Sequence, residues 1–178
     1  MSTAVSEIDP RYPIGNFDKS MIDRGRRAEY IQTYSELPAK LAAAVAGLTD
    51  EQLDTPYRDG GWTLRQTVHH LADSHINGFA RVKFALTEDN PTVKGYHEDL
   101  WAELPDSSLP IGPSISILEG VHARMTHVLK NLSDEDWARA YVNTESGPWT
   151  IDAFIALYAW HSRHHTAHIT ELRKAKGW

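Results

Sequence analysis

Two short motifs of this chain occur twice, and that repeat constrains the fold more than any other feature. Gly47–Leu53 reads G-L-T-D-E-Q-L and Asn131–Trp137 reads N-L-S-D-E-D-W; Gly60–Leu64 reads G-G-W-T-L and Gly147–Ile151 reads G-P-W-T-I. Each copy lies between two long segments whose apolar residues recur at three and four, the helical period. Met21–Gly47 is the first, with Tyr30, Tyr34, Leu37, Leu41, Ala44 and Leu48 on one face. Pro38 lies inside it, where a kink or break is expected. Trp62 to about Leu86 is the second, with Leu64, Val68, Leu71, Phe79 and Val82 inward. Ser114–Asn131 is the third, and Thr150–Lys176, free of Gly and Pro, is the fourth. Thr49 with Gln52 and Thr63 with Gln66 have capping-box spacing, and Gly47 suits a helix C-terminus. Ser133–Trp137 opens another short turn, Tyr141–Trp149 reads as a loop, and Thr150 caps the fourth helix. Two helix–turn–helix halves with short connections predict an all-α four-helix bundle of antiparallel neighbours. The repeat also predicts that the second and fourth helices start at the same end.

Thr87–Pro113 joins the halves and holds Pro91, Pro105, Pro110 and Pro113. Its length suits a functional cover or a dimer contact better than a hairpin. Trp101 and Leu104 suggest a short helical piece that packs down. Residues 1–20 read as an extended arm broken by Pro10, Pro13 and Gly15 and pinned by Tyr12, Ile14 and Phe17. At 178 residues the chain, arm included, fits one domain, 1–178.

Composition narrows the function by exclusion. A net charge of −6 and a pI near 5.9 argue against nucleic-acid or anionic-membrane partners. No apolar run reaches membrane-spanning length, and the first twenty residues lack a signal-peptide core, so a cytoplasmic protein is expected. The chain has no cysteine, which rules out disulfides, thiolate metal sites and a Cys nucleophile. Any metal must be held by His, Asp or Glu.

Histidines concentrate in the fourth helix: His161, His164, His165 and His168. His161 and His165 stand at i, i+4 amid the apolar face of Ile151, Phe154, Tyr158, Ile169 and Leu172, whereas His164 points away from that face. An inward imidazole needs a partner. Two on consecutive turns either chelate one cation, as in H-x-x-x-H zinc helices, or bond to backbone or to one another within the core. Ser162 stands where a zincin helix has Glu, which excludes that protease class. In the second helix the apolar wheel favours His75 as the inward histidine. Gln66, His70, Ser74, Asn77 and Arg81 form a separate polar stripe with the look of a solvated face. His122, near the apolar face of the third helix, is a weaker metal or core candidate.

W-T-L-R-Q-T-V-H-H-L-A-D-S-H from Trp62 and W-H-S-R-H-H-T-A-H-I-T-E-L from Trp160 resemble the DinB/YfiT-like superfamily, closest to the YfiT branch of metal-dependent hydrolases. The similarity extends through R-Y-P-I-G and L-D-T-P-Y-R-D-G-G-W-T and runs almost end to end. It implies an up-down-down-up bundle with the Pro-rich segment as a crossover between helices two and three. It also implies three metal ligands, His70, His161 and His165; for the helix-two position His75, which the apolar wheel favours, ranks second and His69 third. Three histidines with an open position suit a catalytic zinc, although nickel, cobalt or iron would also accept imidazoles. The implied chemistry is hydrolysis of a small molecule by metal-bound hydroxide. The alternatives are transfer of a low-molecular-weight thiol, as in the related bacillithiol S-transferases, or a non-catalytic metal-binding stress protein. Asp73, Asn77 and Glu171 are weak candidates for orienting ligands or moving a proton. The family often forms homodimers, so one is expected here.

Overall fold

Four long helices carry the fold in a computed structural model that describes residues 9–178; residues 1–8 of the expected arm lie outside the described residues. In chain order the elements are α1 (Arg27–Val45), α2 (Asp50–Leu53), α3 (Leu64–Thr87), β1 (Thr92–Val93), α4 (Glu98–Trp101), α5 (Gly112–Lys130), α6 (Asp134–Ala138), β2 (Ala140–Asn143), β3 (Gly147–Thr150) and α7 (Ile151–Lys176). The long helices are α1, α3, α5 and α7. The Thr49/Gln52 and Thr63/Gln66 capping boxes form as expected, and so does one at Ser133/Asp136. Thr150 caps α7 through the Ala153 amide.

The first helix starts later than its apolar pattern suggests. Asp18 and Asp23 accept bonds from the amides of Ser20 and Gly25 and hold residues 19–26 in two separate 3₁₀ turns. Such short side-chain-to-backbone bonds compete with helix formation. Pro38 does not break α1, which runs through it unbroken. The amide that Pro38 lacks would have bonded the Tyr34 carbonyl. That carbonyl instead accepts from His122 Nδ1 on α5, at 2.6 Å.

Contacts at the helix ends fix the directions. At its start α7 meets the start of α1, where Arg27 binds Asp152; at its end Arg173 donates to the Ala44 and Ala46 carbonyls. The two helices are therefore parallel. The start of α3 meets the start of α5, where His69 binds Ser114, so these two are parallel also. Gly78 and Ser74 of α3 lie against Tyr158 of α7, while His70 lies against His165, so α3 and α7 run antiparallel. The order is up-down-down-up. Packing joins α1 to α7 and α5, and α3 to α5 and α7. The two long helices of each half, α1 with α3 and α5 with α7, thus sit on the diagonals, and the expectation of antiparallel neighbours within each half is corrected. So is the expectation that the second and fourth helices start at one end. The two halves are related by a two-fold turn that sends α3 and α7 in opposite directions.

Tyr141–Trp149 is not a plain loop. It holds the β2–β3 hairpin, turned at Gly147 with φ +78°, and β1 adds to β2 in parallel. The crossover between α3 and α5 lies along the polar stripe of α3. Gln66 donates to the Ala102 carbonyl and Arg81 to the Lys94 carbonyl. The short helical piece exists as α4, but Trp101 and Leu104 stay exposed; Ala102 is the residue that packs down. Trp101 rests on Tyr96 instead. In the arm, Phe17 packs against the core, whereas Tyr12 and Ile14 stay exposed.

Two apolar clusters fill the bundle. One holds Tyr34, Met125, Phe154 and Ile155, the other Leu37, Leu71, Leu118 and Ile169. His75, His122, His161 and His165 fall between the two clusters on their helices. They form a polar layer across the interior, which is where the candidate site lies.

Candidate metal centre

His161 and His165 lie one turn apart on α7, with ring centroids 4.5 Å from one another. The antiparallel packing of α3 brings His70 against both, at 5.4 Å from His161 and 4.9 Å from His165. One ring nitrogen from each lies within 4.8 Å of the others. His70 Nε2 and His161 Nε2 are 3.3 Å apart. Two nitrogens bound tetrahedrally to zinc at about 2.0–2.1 Å are themselves about 3.3–3.4 Å apart. The observed spacing therefore fits one shared cation.

Electrostatics favour the same occupant. Burial drives the His70 imidazolium down to a pKa of about 4, with His164 adding repulsion. Burial also holds His161 and His165 well below the ordinary value, reinforced by the neighbouring rings. All three are neutral at pH 7, the form with a lone pair to give a metal. The residues present fit a divalent ion with imidazole ligands.

His70 and His165 are buried, while His161 keeps a part-exposed edge. The three border a cavity of about 360 Å³ whose other walls include Trp62, Ser74, Tyr96, Glu98, Leu157 and Tyr158. Trp62 covers His70 at 4.5 Å between centroids. The polar stripe of α3 is thus not a solvated face: His70 and Ser74 are buried under the crossover and α7.

The other candidates fall elsewhere. His75 stands behind His161, with its Nε2 3.4 Å from His161 Nδ1. It is inward, as the wheel predicts, yet it points to His161 and does not line the cavity. His69 is bound to Ser114 Oγ and the Leu109 carbonyl, away from the group. His122 lies deeper still, its Nε2 2.8 Å from His75 Nδ1. Asp73 is half-buried and Asn77 bonds its carbonyl; neither lines the cavity. Glu171 lines a different cavity beside His168 and Pro10. His164 does not point to solvent; it is buried under Trp160, 4.4 Å away. With His165 and His168 it makes a second group of ring nitrogens within 4.8 Å.

Sequence reasoning missed the cavity walls. Tyr96 and Glu98 sit in the crossover, where no periodicity points to them. Tyr158 read as core. Trp62 carried a signal, since W-T recurs at both helix starts, and Ser74 stood on the polar stripe with His70.

The sequence pattern described as the DinB superfamily matches residues 33–169. A Bacillus cereus protein named "Putative metal-dependent hydrolase" is 51% identical over 171 residues, which cover 96% of this chain and 99% of the relative. A protein of similar name from Bacillus thuringiensis subsp. konkukian shows the same 51% identity over the same shares. Among solved structures, YfiT from Bacillus subtilis superposes with a TM-score of 0.90 at 45% identity, over 95% of this chain and 98% of its own. YfiT is described as a probable metal-dependent hydrolase with an unusual four-helix bundle topology.

Proposed function

This chain belongs to the DinB superfamily, and from that membership we propose that it is a metal-dependent hydrolase whose single divalent ion, zinc first among the candidates, is held by His70, His161 and His165. The observation that carries the reading is the convergence of three neutral imidazoles, two buried and His161 part-exposed, on one accessible cavity. Relatives about half identical over nearly the whole chain carry names for the same class of chemistry.

A cation held there would supply Lewis acidity toward a substrate oxygen and would acidify water. His70, His161 and His165 would hold it as neutral ligands and would leave its charge undiminished. The walls do the rest. Trp62, Leu157 and Tyr158 offer flat apolar surface to seat an uncharged organic group and keep bulk water away. Ser74 and Tyr96 offer hydroxyls for orientation. Glu98 is the one carboxylate on the lining and the best-placed group there to hold a proton. The set suits a small neutral ester or amide.

The test is to purify the protein without added metal, measure its metal by elemental analysis, and assay small esters and amides with and without chelator. One divalent ion per chain and chelator-sensitive turnover are expected. Metal-dependent consumption of a thiol by chlorodinitrobenzene, without ester or amide turnover, would replace hydrolysis with thiol transfer.

A further inference from the structure

We propose that the two α7 histidines are held in one tautomer, proton on Nδ1 and lone pair on Nε2, by relays of further histidines that each end on a backbone carbonyl. The inference rests on the metal site proposed above and adds His75, His122 and His168 to it as positioning residues.

The longer relay starts at Tyr34. Its carbonyl can only accept, so the His122 nitrogen 2.6 Å away, Nδ1, carries the proton. That carbonyl is free because Pro38, four residues on, has no amide to give it. A neutral imidazole carries one proton, so His122 Nε2 is an acceptor. The atom facing it at 2.8 Å, His75 Nδ1, must then donate. His75 Nε2 becomes the acceptor in turn and faces His161 Nδ1 at 3.4 Å. His161 is left with its proton on Nδ1 and its lone pair on Nε2, the atom 3.3 Å from His70 Nε2. Each link fixes the next, and the direction is set by a group that cannot donate.

Packing holds the links in place. Tyr34 stacks on His122 at 3.9 Å and 12°, and His75 stacks on His122 at 4.8 Å and 18°. Both histidines are buried, where an unpaired charge is costly, so each is counted with one ring proton. The single-proton bookkeeping therefore applies to them.

The shorter relay serves His165. His168 Nε2 lies 3.3 Å from the Arg11 carbonyl, so it carries the proton. His168 Nδ1 is then the acceptor for His165 Nδ1, 3.3 Å away. Tyr57 stacks on His168 at 4.0 Å and 12°. This assigns the grouping of His164, His165 and His168 as support for one metal site instead of a second. One neutral His165 has one lone pair and cannot serve two cations.

The effect of such outer partners is to orient the ring and raise its basicity, with losses of about 10- to 100-fold in metal affinity on removal. Long-range ¹H–¹⁵N spectra of the metal-free protein at pH 8, with ¹⁵N-histidine, read the tautomers directly. Nδ1–H is expected for His122, His75, His161 and His165, and Nε2–H for His168. His161 or His165 protonated on Nε2 would overturn the proposal, and this readout requires no variant to fold. His75→Phe, which keeps a ring beside Tyr34 and His122, is expected to bind one zinc about 10- to 100-fold more weakly. Zinc affinity equal to wild type in a folded His75→Phe protein, or two zinc ions per wild-type chain, would also overturn it. Should wild type bind no metal while the tautomers stand as assigned, the function fails and the relay survives.

Discussion

Gly78 lies directly under Tyr158: a methyl group on Gly78 would stand 2.7 Å from the Tyr158 ring. The glycine is therefore there to let α3 and α7 close on the ring that forms one wall of the cavity. Gly78→Ala gains about 1 kcal/mol of helix propensity. It loses about 1–3 kcal/mol to overpacking in a site with no slack. The expected outcome is a melting temperature lower by a few degrees and a raised KM for any substrate of the cavity. A variant melting at or above wild type would show that Tyr158 moves freely.

Asp152 ties the start of α7 to the start of α1. Arg27 binds it through Nε at 2.6 Å and Nη2 at 2.8 Å, and Asp152 is only 5% exposed. Asp152→Ala strands a part-buried guanidinium whose remaining acidic partner, Asp134, is exposed. We expect a loss of about 2–3 kcal/mol by urea unfolding. Arg27→Met in the same chain should recover part of it, since the stranded charge goes. A cost below about 1 kcal/mol for Asp152→Ala would contradict the pairing.

The buried histidines make the metal-free protein acid-sensitive. Burial holds His70, His122, His164 and His168 to about 4, and it also holds His75, His161 and His165 well below the ordinary histidine value. The unfolded chain binds these protons near pH 6.5 and the folded chain only well below that, near 4 for His70, His122, His164 and His168. Between those values the unfolded state holds more protons, so stability rises with pH there. The urea midpoint should be flat above about pH 7.5 and fall steeply from pH 7 to 5. An unchanged midpoint across that window would mean the rings are not buried as described.

Asp73 behaves oppositely. Burial, with repulsion from Asp106, pushes its carboxyl up to about 6. The folded state then keeps a proton that the unfolded state has released, so this residue costs stability increasingly from pH 4 to 6 and fully above. Asp73→Asn should stabilise by about 1 kcal/mol at pH 7, after discounting for its partial exposure, and by nothing at pH 4. Metal content should not change, because Asp73 does not line the cavity. Loss of metal in Asp73→Asn would restore it as a site residue.

Helix identity and caps were legible because they depend on local chemistry: Thr63 with Gln66 and Ser133 with Asp136 close the bonds their spacing allows. Helix direction was not legible in the local pattern, and only the family resemblance carried the up-down-down-up order. A short connection such as 54–63 says how near two helix ends are, not whether their shafts share a side or a diagonal. Position on an apolar face marked His161 and His165 as inward. The same rule chose His75 over His70 on α3, because a wheel separates inside from outside but not cavity from core. Only the W-T-L-R-Q-T-V-H-H resemblance singled out His70. The part played by Pro38 was invisible, since the carbonyl it frees is claimed by a histidine 88 residues away.

Cobalt(II) titration into metal-free protein, followed by visible absorption, tests the shared cation most directly. One equivalent should develop the intense d–d bands of a tetrahedral site, which zinc then displaces. Single His70→Ala, His161→Ala and His165→Ala variants should each abolish the signal at stoichiometric cobalt. Bands of equal intensity in folded His70→Ala protein, or none in wild type, would contradict the three-histidine centre.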